Sequence, residues 1–154
     1  RMGQFFTPDS VCDIMAHIVS TPDGATGYDC ACGSGRTLLA AHARTDARQF
    51  RFYVAGDIDP MTCKMCALNM MLHGMLGIVE RRDALSMEFY SAYVVNEMMW
   101  PIPAMMPSVR CTTDEGEVAR IRRAAQRYLR ADRQPAAPQP EEQRQPRQLS
   151  LFDV

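Results

Sequence analysis

Apolar and polar residues follow one another along this chain in blocks that predict strands and helices in turn. Runs with the composition of buried strands occur at residues 25–29, 50–57, 77–83 and 92–96. Helical spacing or helix-forming composition marks residues 8–19, 37–43, 60–72 and 117–131. In the first helix, Ile14, Ile18 and Val19 are expected to form the buried face. This order of elements predicts an α/β fold with a parallel, doubly wound sheet.

A turn of small residues joins the first predicted strand to the helix that follows it. Its sequence is Asp29-Cys30-Ala31-Cys32-Gly33-Ser34-Gly35-Arg36. Glycine permits unusual backbone angles and the close approach of a ligand. The N-terminus of the following helix offers free N–H groups to an electron-rich ligand group. The spacing differs from that of a phosphate loop and from the G-x-G-x-x-G dinucleotide fingerprint, so the turn alone does not identify the ligand.

Polar side chains close each of the four predicted strands. Asp29, Asp57, Asp83 and Asn96 stand at their carboxyl ends. In parallel α/β sheets, ligands bind beyond the carboxyl ends of the strands. Four polar ends in succession therefore predict a ligand site along one edge of the sheet.

Length, charge and cysteine content narrow the possible functions. The 154 residues carry a formal net charge of −1, which gives no overall attraction to nucleic acid or to a membrane. No apolar run approaches the roughly 20 residues of a membrane span, and no signal peptide is visible, so we expect a cytoplasmic protein without membrane contact. The six cysteines are then expected to be small buried thiols rather than disulfides or metal ligands.

Residues 117–131 are predicted to form a basic amphipathic helix. Its apolar stripe is expected to contain Val118, Ile121, Ala125, Tyr128 and Leu129. The arginines of this segment have two interpretations. They neutralise DNA phosphates, or they form the solvated face of a covering helix. The sequence supports both interpretations equally.

Four motifs in order resemble those of the adenine-specific DNA methyltransferases related to type I restriction–modification subunits. Gly3-Gln4-Phe5-Phe6-Thr7-Pro8 resembles the N-terminal motif of that family, and Gly56-Asp57-Ile58-Asp59-Pro60 and Asp83-Ala84-Leu85 resemble two later ones. The glycine turn resembles D-P-A-C-G-S-G, with Cys30 in place of the proline. The resemblance implies a Rossmann-like class I S-adenosylmethionine-dependent methyltransferase fold over residues 1–131, apparently truncated, with S-adenosylmethionine as cofactor.

The resemblance also assigns roles to the cofactor-binding residues. It implies that Asp57 accepts from the ribose hydroxyls, while Ile58 covers a face of the adenine. It implies that Asp83 accepts from the adenine amino group and that Ala84 lies beside the ring. The residues implied around the methionine end are Asp29, Ala31, Gly33, Thr7 and Phe5.

The catalytic loop departs from the family pattern. After its fourth strand the family places [N/D]-P-P-[Y/F], whereas this chain has Asn96-Glu97-Met98-Met99-Trp100. The resemblance implies that Asn96 accepts from the target amine and that Trp100 stacks on a flipped base. Both prolines, which would stiffen the loop, are absent. Two hypotheses follow: a DNA adenine N6-methyltransferase, and a catalytically inactive cofactor-binding accessory subunit completed by a specificity or other partner subunit.

The end of the chain carries a separate motif. Residues 132–147 are rich in Pro, Gln and Arg and predict a disordered linker. Residues 148–154 follow, and Gln148-Leu149-Ser150-Leu151-Phe152 resembles the bacterial sliding-clamp-binding motif. The resemblance implies that the glutamine enters a small pocket of the clamp while leucine and phenylalanine fill a hydrophobic one. The alternative is that Leu149, Leu151 and Phe152 fold back onto the body of the protein. A third hypothesis, a clamp-binding module on an inert scaffold, is opposed by the intact acids at three strand ends.

Overall fold

Residues 6–19, 26–45, 51–99 and 106–132 are described in a computed structural model of the chain. The helices are α1 (Asp9–Ile18), α2 (Arg36–Ala43), α3 (Pro60–Leu72) and α4 (Glu115–Asp132). The strands are β1 (Thr26–Asp29), β2 (Phe52–Asp57), β3 (Gly77–Arg82), β4 (Phe89–Val95) and β5 (Val109–Thr112), and a short 3₁₀ turn covers Glu97–Met99. None of the described helices combines the length and the apolar character needed to cross a membrane. The predicted α/β class is confirmed, and β5 is an element that the sequence did not predict.

The five strands form one mixed sheet in the order β1-β2-β3-β4-β5. β1, β2 and β3 are parallel, whereas β4 runs antiparallel to β3 and β5 antiparallel to β4. The predicted all-parallel sheet is therefore wrong beyond β3. A parallel crossover needs about a dozen or more residues, and the link between β3 and β4 is a tight turn. In that turn the Met87 N–H donates to the Asp83 carbonyl at 2.8 Å.

Helices cover both faces of the sheet. On one face, Leu38 of α2 and Cys63, Cys66 and Met70 of α3 pack with inward side chains of β2, β3 and β4. On the other face, Val118, Ala125 and Leu129 of α4 pack with the alternate residues Phe52, Val54, Ile78 and Ala92. Since successive residues of β2 point to opposite layers, the strand is buried on both sides.

The local signals at the start of α3 act as the sequence predicts. One carboxylate oxygen of Asp59 accepts hydrogen bonds from the N–H groups of Met61 at 3.1 Å and Thr62 at 2.9 Å. Pro60 occupies the first helical position, where its missing N–H costs nothing. Gly74, with φ of 68°, follows the end of the helix. These contacts fix the direction in which the chain leaves β2.

Two predicted helix faces differ from the observed ones. α1 packs on α2 through the small residues Cys12 and Ala16, while Ile14 and Ile18 are 59% and 78% exposed. The prediction that Ile14, Ile18 and Val19 are buried is wrong, because the contact with α2 uses the opposite side of the helix. In α4 the predicted stripe is confirmed except for Tyr128, which is exposed.

Candidate functional site

The glycine turn between β1 and α2 lies against the end of β2 and against α3. Gly33 and Gly35 have φ of 51° and 84°, in the left-handed region that favours glycine. A Cβ on Gly35 would lie 2.7 Å from Sγ of Cys66, so a side chain there would collide with α3. The Cys32 N–H donates to the Gly56 carbonyl at 2.9 Å. The turn is therefore fixed by its neighbours as well as by its own backbone.

Asp57 joins the two loops that follow β1 and β2. Its Oδ2 accepts from the Gly33 N–H at 2.9 Å, and its Oδ1 accepts from the Asp59 N–H at 2.9 Å. Each carboxylate oxygen can accept a second hydrogen bond. Asp57 therefore organises this edge and keeps capacity for a ligand hydroxyl.

Asp29 lies beside a cavity at the start of α2. Its Oδ1 accepts from the Ala31 N–H at 3.1 Å, and its Oδ2 accepts from the Thr37 hydroxyl at 2.6 Å. The cavity has a volume of about 220 Å³. It is lined by Phe6, Thr7, Met15, Asp29, Ala31, Cys32, Gly33, Ser34, Arg36 and Thr37. The structure thus brings four of the predicted cofactor-binding residues, Thr7, Asp29, Ala31 and Gly33, around one cavity.

Arg36 is a residue of this cavity to which the sequence assigned no role. Its guanidinium pairs with the carboxylate of Asp9 at the start of α1. The pair ties α1 to the first turn of α2, next to the cavity mouth. The position of Arg36 directly after the glycine turn could have suggested a role in the site. Its pairing with Asp9 could not be predicted, because the two residues are 27 positions apart in the chain.

Asp83 stands just beyond β3 at the same edge of the sheet. Its Oδ1 accepts from the N–H groups of Leu85 at 2.8 Å and Ser86 at 3.3 Å. These backbone hydrogen bonds, that of Leu85 foremost, hold the pKa of Asp83 below its usual value. Because the lowered pKa favours the carboxylate, Asp83 is an anionic acceptor at neutral pH.

Ile58 and Ala84 are exposed at the ends of β2 and β3. Ile58 is 44% exposed, and its carbonyl accepts from Nε of Arg81 at 3.3 Å. The guanidinium of Arg81 also lies 4.8 Å from the centre of the Tyr90 ring. Ile58 thus offers an apolar surface between two acids, Asp57 and Asp83. This arrangement suits a flat, partly apolar ring that carries polar groups at its rim.

Asn96 does not share this edge. β4 runs antiparallel to β3, with Val95 opposite Gly77, so its carboxyl end lies at the amino end of β3. Asn96 is fully buried, and its Nδ2 donates to the carbonyls of Met71 at 3.2 Å and Met75 at 2.9 Å. Its Oδ1 accepts from the Ser108 N–H at 3.1 Å. The prediction that Asn96 lies beside the three aspartates, where it could accept from a target amine, is wrong because the strand that carries it is reversed.

Several predicted residues lie outside the described part of the chain. They are Phe5, Trp100, Gln148, Leu149, Leu151 and Phe152. Their assignments to cofactor, base and clamp remain predictions.

Four of the six cysteines are buried and all six are free thiols. Cys30 and Cys111 are exposed, so the expectation that all six cysteines are buried is wrong for these two. The hydrogen bond that Cys32 shares with Cys66, together with burial, raises the pKa of Cys32 well above its usual range. Burial, with the neighbouring Asp57 carboxylate, raises the pKa of Cys63 to about 12. Both groups are therefore neutral thiols at physiological pH, beneath the loops that follow β1 and β2.

The buried thiols predict a loss of stability at alkaline pH. The native thiol of Cys63 keeps its proton to a higher pH than the unfolded thiol, so its contribution is intact below the unfolded pKa and is lost as pH rises toward about 12. Urea unfolding between about pH 8 and about pH 11 should show stability falling by up to about 1.4 kcal/mol per pH unit per thiol. The variant Cys63→Ala should show a shallower slope than the wild type. Equal slopes would contradict the assignment.

The fold is an α/β sheet, with a candidate ligand site at the carboxyl ends of its three parallel strands. Residues 1–88, more than half of the chain, match the family model described as N-6 DNA Methylase. The chain therefore belongs to the N-6 DNA methylase family.

Methylase subunits of type I restriction enzymes are among its relatives. The MjaVIII methylase subunit of Methanocaldococcus jannaschii is 30% identical over 74 residues, which cover 48% of this chain and 13% of that protein. The MpnII methylase subunit of Mycoplasma pneumoniae is 34% identical over 77 residues, which cover 46% and 14%. A modification subunit of a type I restriction enzyme from Vibrio vulnificus overlaps with a TM-score of 0.44 and 21% identity, over 53% of this chain and 19% of that one. The chain spans about one seventh of the length of the curated relatives it matches.

Proposed function

We propose that this chain binds S-adenosylmethionine at the carboxyl edge of β1, β2 and β3 and provides the cofactor site of a DNA adenine N6-methyltransferase. The observation that carries the proposal is the hydrogen bond from the Gly33 N–H to Oδ2 of Asp57 at 2.9 Å. This hydrogen bond joins the glycine turn to Asp57 at the end of β2. Gly33 also lines the cavity at the start of α2, and both residues lie in the part of the chain that matches the family model.

The cavity at the start of α2 would hold the methionine end of the cofactor. Ala31 and Gly33 line this cavity together with the charged groups of Asp29 and Arg36. The carboxylate of Asp29 suits an ammonium, and the guanidinium of Arg36 suits a carboxylate. Thr7 closes one side of the cavity. Phe5 is the neighbouring residue that the resemblance adds. This part of the site positions the charged end of the ligand.

The adenosine end would lie across the open edge between Asp57 and Asp83. Asp57 has oxygen lone pairs left for ribose hydroxyls, and the anionic Asp83 would accept from the adenine amino group. Ile58 would cover one face of the ring, with Ala84 beside it. When bound, the cofactor supplies the methyl group, and these residues bind and orient it.

The position of Asn96 favours a second form of the proposal, in which the chain is a cofactor-binding subunit that does not itself hold the target amine. Its amide is fully buried at the opposite edge of the sheet, where it holds the carbonyls of Met71 and Met75 and the N–H of Ser108. The groups that accept from the target amine would then come from a specificity or other partner subunit, while Trp100 remains the residue proposed to stack on the base. The substrate in both forms is DNA adenine.

Calorimetric titration of the full chain with S-adenosylmethionine tests the cofactor site. We expect binding at one site, weakened about tenfold by Asp83→Ala through loss of one charge-assisted hydrogen bond. Asp13→Ala, an exposed acid of α1 beyond the cavity lining, is the matched control and should bind as the wild type does. Absence of binding by a folded wild type would refute the proposal. Where binding is found, an assay of methyl transfer to DNA by the chain alone distinguishes the enzyme from the accessory subunit.

We further propose that residues 148–152 bind a bacterial sliding clamp and so bring the protein to DNA. Binding of the full chain to a purified clamp can be measured by surface plasmon resonance. Replacing Leu151 and Phe152 together by alanine should reduce affinity by more than about tenfold, because two apolar side chains lose their pockets. Ser150→Ala is the control, since the motif accepts different residues there. Unchanged binding in the double variant would exclude this role.

A further inference from the structure

β1 is an edge strand with an open side. It pairs with β2 in parallel, and no other described strand adjoins it. Its four residues include neither proline nor lysine, the residues that commonly protect an edge from pairing. Tyr28 in its centre is 62% exposed. Within the described part of the chain, the outward N–H and C=O groups of β1 therefore have no strand partner and can pair with an added strand.

A groove runs beside this edge on the face that carries α4. Its volume is about 390 Å³, and its lining is Thr26, Tyr28, Phe52, Val54, Arg122 and Gln126. The groove exists because α4 packs over the middle of the sheet, through Val118, Ala125 and Leu129, and leaves β1 uncovered. Its floor is mainly the side chains of β1 and β2, and its wall is polar.

Arg122 places a partly exposed guanidinium on the groove wall. One terminal nitrogen lies 3.4 Å from Oε1 of the buried Glu80, and the side chain is 33% exposed. A carboxylate that enters the groove can therefore pair with the accessible part of this guanidinium.

We propose that residues 149–153 of this same chain bind the groove as an added strand beside β1. In an extended strand, alternate side chains share one face, so Leu149, Leu151 and Asp153 point the same way. The two leucines match the apolar floor, and the carboxylate of Asp153 matches Arg122. Main-chain hydrogen bonds to the free edge of β1 supply the rest of the interaction.

The groove lies within reach of residues 149–153. Arg122 and Gln126 lie on α4, ten and six residues before its last residue, Asp132, which is roughly 9–15 Å along the helix. The sixteen residues 133–148 can extend over roughly 50 Å. A connection of this length would give the tail an effective concentration on the order of millimolar at the groove. Even a weak strand interaction is then substantially occupied within one molecule.

If the tail also binds a clamp, as proposed above, the groove and the clamp compete for the same residues of the tail. Leu149 and Leu151 serve both interactions, so one tail cannot occupy both surfaces. The groove then lowers the affinity of the full chain for the clamp below that of the isolated peptide 148–154. A clamp releases the edge of β1 when it captures the tail.

Hydrogen exchange of the full chain, followed by mass spectrometry, tests the docking without a clamp. In the double variant Leu149→Asp/Leu151→Asp, the outward amides of β1 should exchange at least roughly tenfold faster than in the wild type. The matched control is Gln148→Ala/Phe152→Ala, which alters the other face of the strand and should leave β1 protection unchanged. Asp153→Asn should give a smaller acceleration of the same amides.

Other outcomes overturn either the docking or the clamp function. Equal exchange in all variants means that the tail does not cover β1. Protection that survives Leu149→Asp/Leu151→Asp and increases with protein concentration means that a second copy occupies the edge. Loss of clamp binding with β1 protection intact refutes the clamp function alone, and clamp binding without β1 protection refutes the docking alone.

Discussion

Asp57→Ala is expected to reduce affinity for S-adenosylmethionine by at least about 100-fold, since it removes hydrogen bonds to a charged group that are worth about 1.5–3 kcal/mol each. In the native protein Asp57 holds the N–H groups of Gly33 and Asp59 at 2.9 Å. The variant therefore loosens two loops of the site and also loses the proposed acceptor for the ribose hydroxyls. Calorimetric titration beside the wild type measures the loss.

Two further variants separate the ligand contact from loop organisation. Asp57→Asn retains one acceptor oxygen but brings an amide donor toward the N–H of Gly33 or of Asp59, so its affinity should fall between those of wild type and Asp57→Ala. Asp13→Ala, on the exposed side of α1, should bind as the wild type does. Circular dichroism confirms that each variant is folded. Undiminished affinity in Asp57→Ala would contradict the placement of the cofactor at this edge.

The parts of the site that were predictable from sequence depend on local chemistry. The glycine turn, the cap at Asp59 and the acids at the ends of β1, β2 and β3 are each set by a few neighbouring residues. Such short-range preferences appear directly in the sequence. The parallel register of β1, β2 and β3 then brings the three acids to one edge, as predicted.

The remaining features depend on contacts that are distant in the chain. The direction of β4 follows from a tight turn after Asp83, and the strand pattern of 92–96 looks the same in either direction. The buried face of α1 is set by its contact with α2 and by the Arg36–Asp9 pair, and neither is visible in the periodicity of α1 itself. The groove beside Arg122 exists because α4 packs over β2, β3 and β4 and leaves the same face of β1 uncovered.

Asn96→Ala is expected to destabilise the protein by about 3 kcal/mol, because buried polar groups that lose their partner cost about 1–3 kcal/mol each. The Asn96 side chain links the end of α3 and the residues before β3 to Ser108 at the start of β5. Its backbone also has φ of 56°, which asparagine tolerates better than alanine does. Chemical denaturation gives the difference in the free energy of unfolding.

The comparison with Asn69→Ala shows whether Asn96 is structural. Asn69 is an amide of α3 whose Nδ2 donates to one described acceptor, the Ser34 carbonyl at 2.9 Å, so its loss should cost about 1 kcal/mol. Asn96→Asp should be at least as harmful as Asn96→Ala, because a carboxylate cannot donate to the carbonyls of Met71 and Met75. A residue that held a target amine would give the opposite result: Asn96→Ala would leave stability unchanged and abolish methyl transfer. Because its amide is fully buried and hydrogen-bonded within the protein, we expect stability to be the property that Asn96 controls.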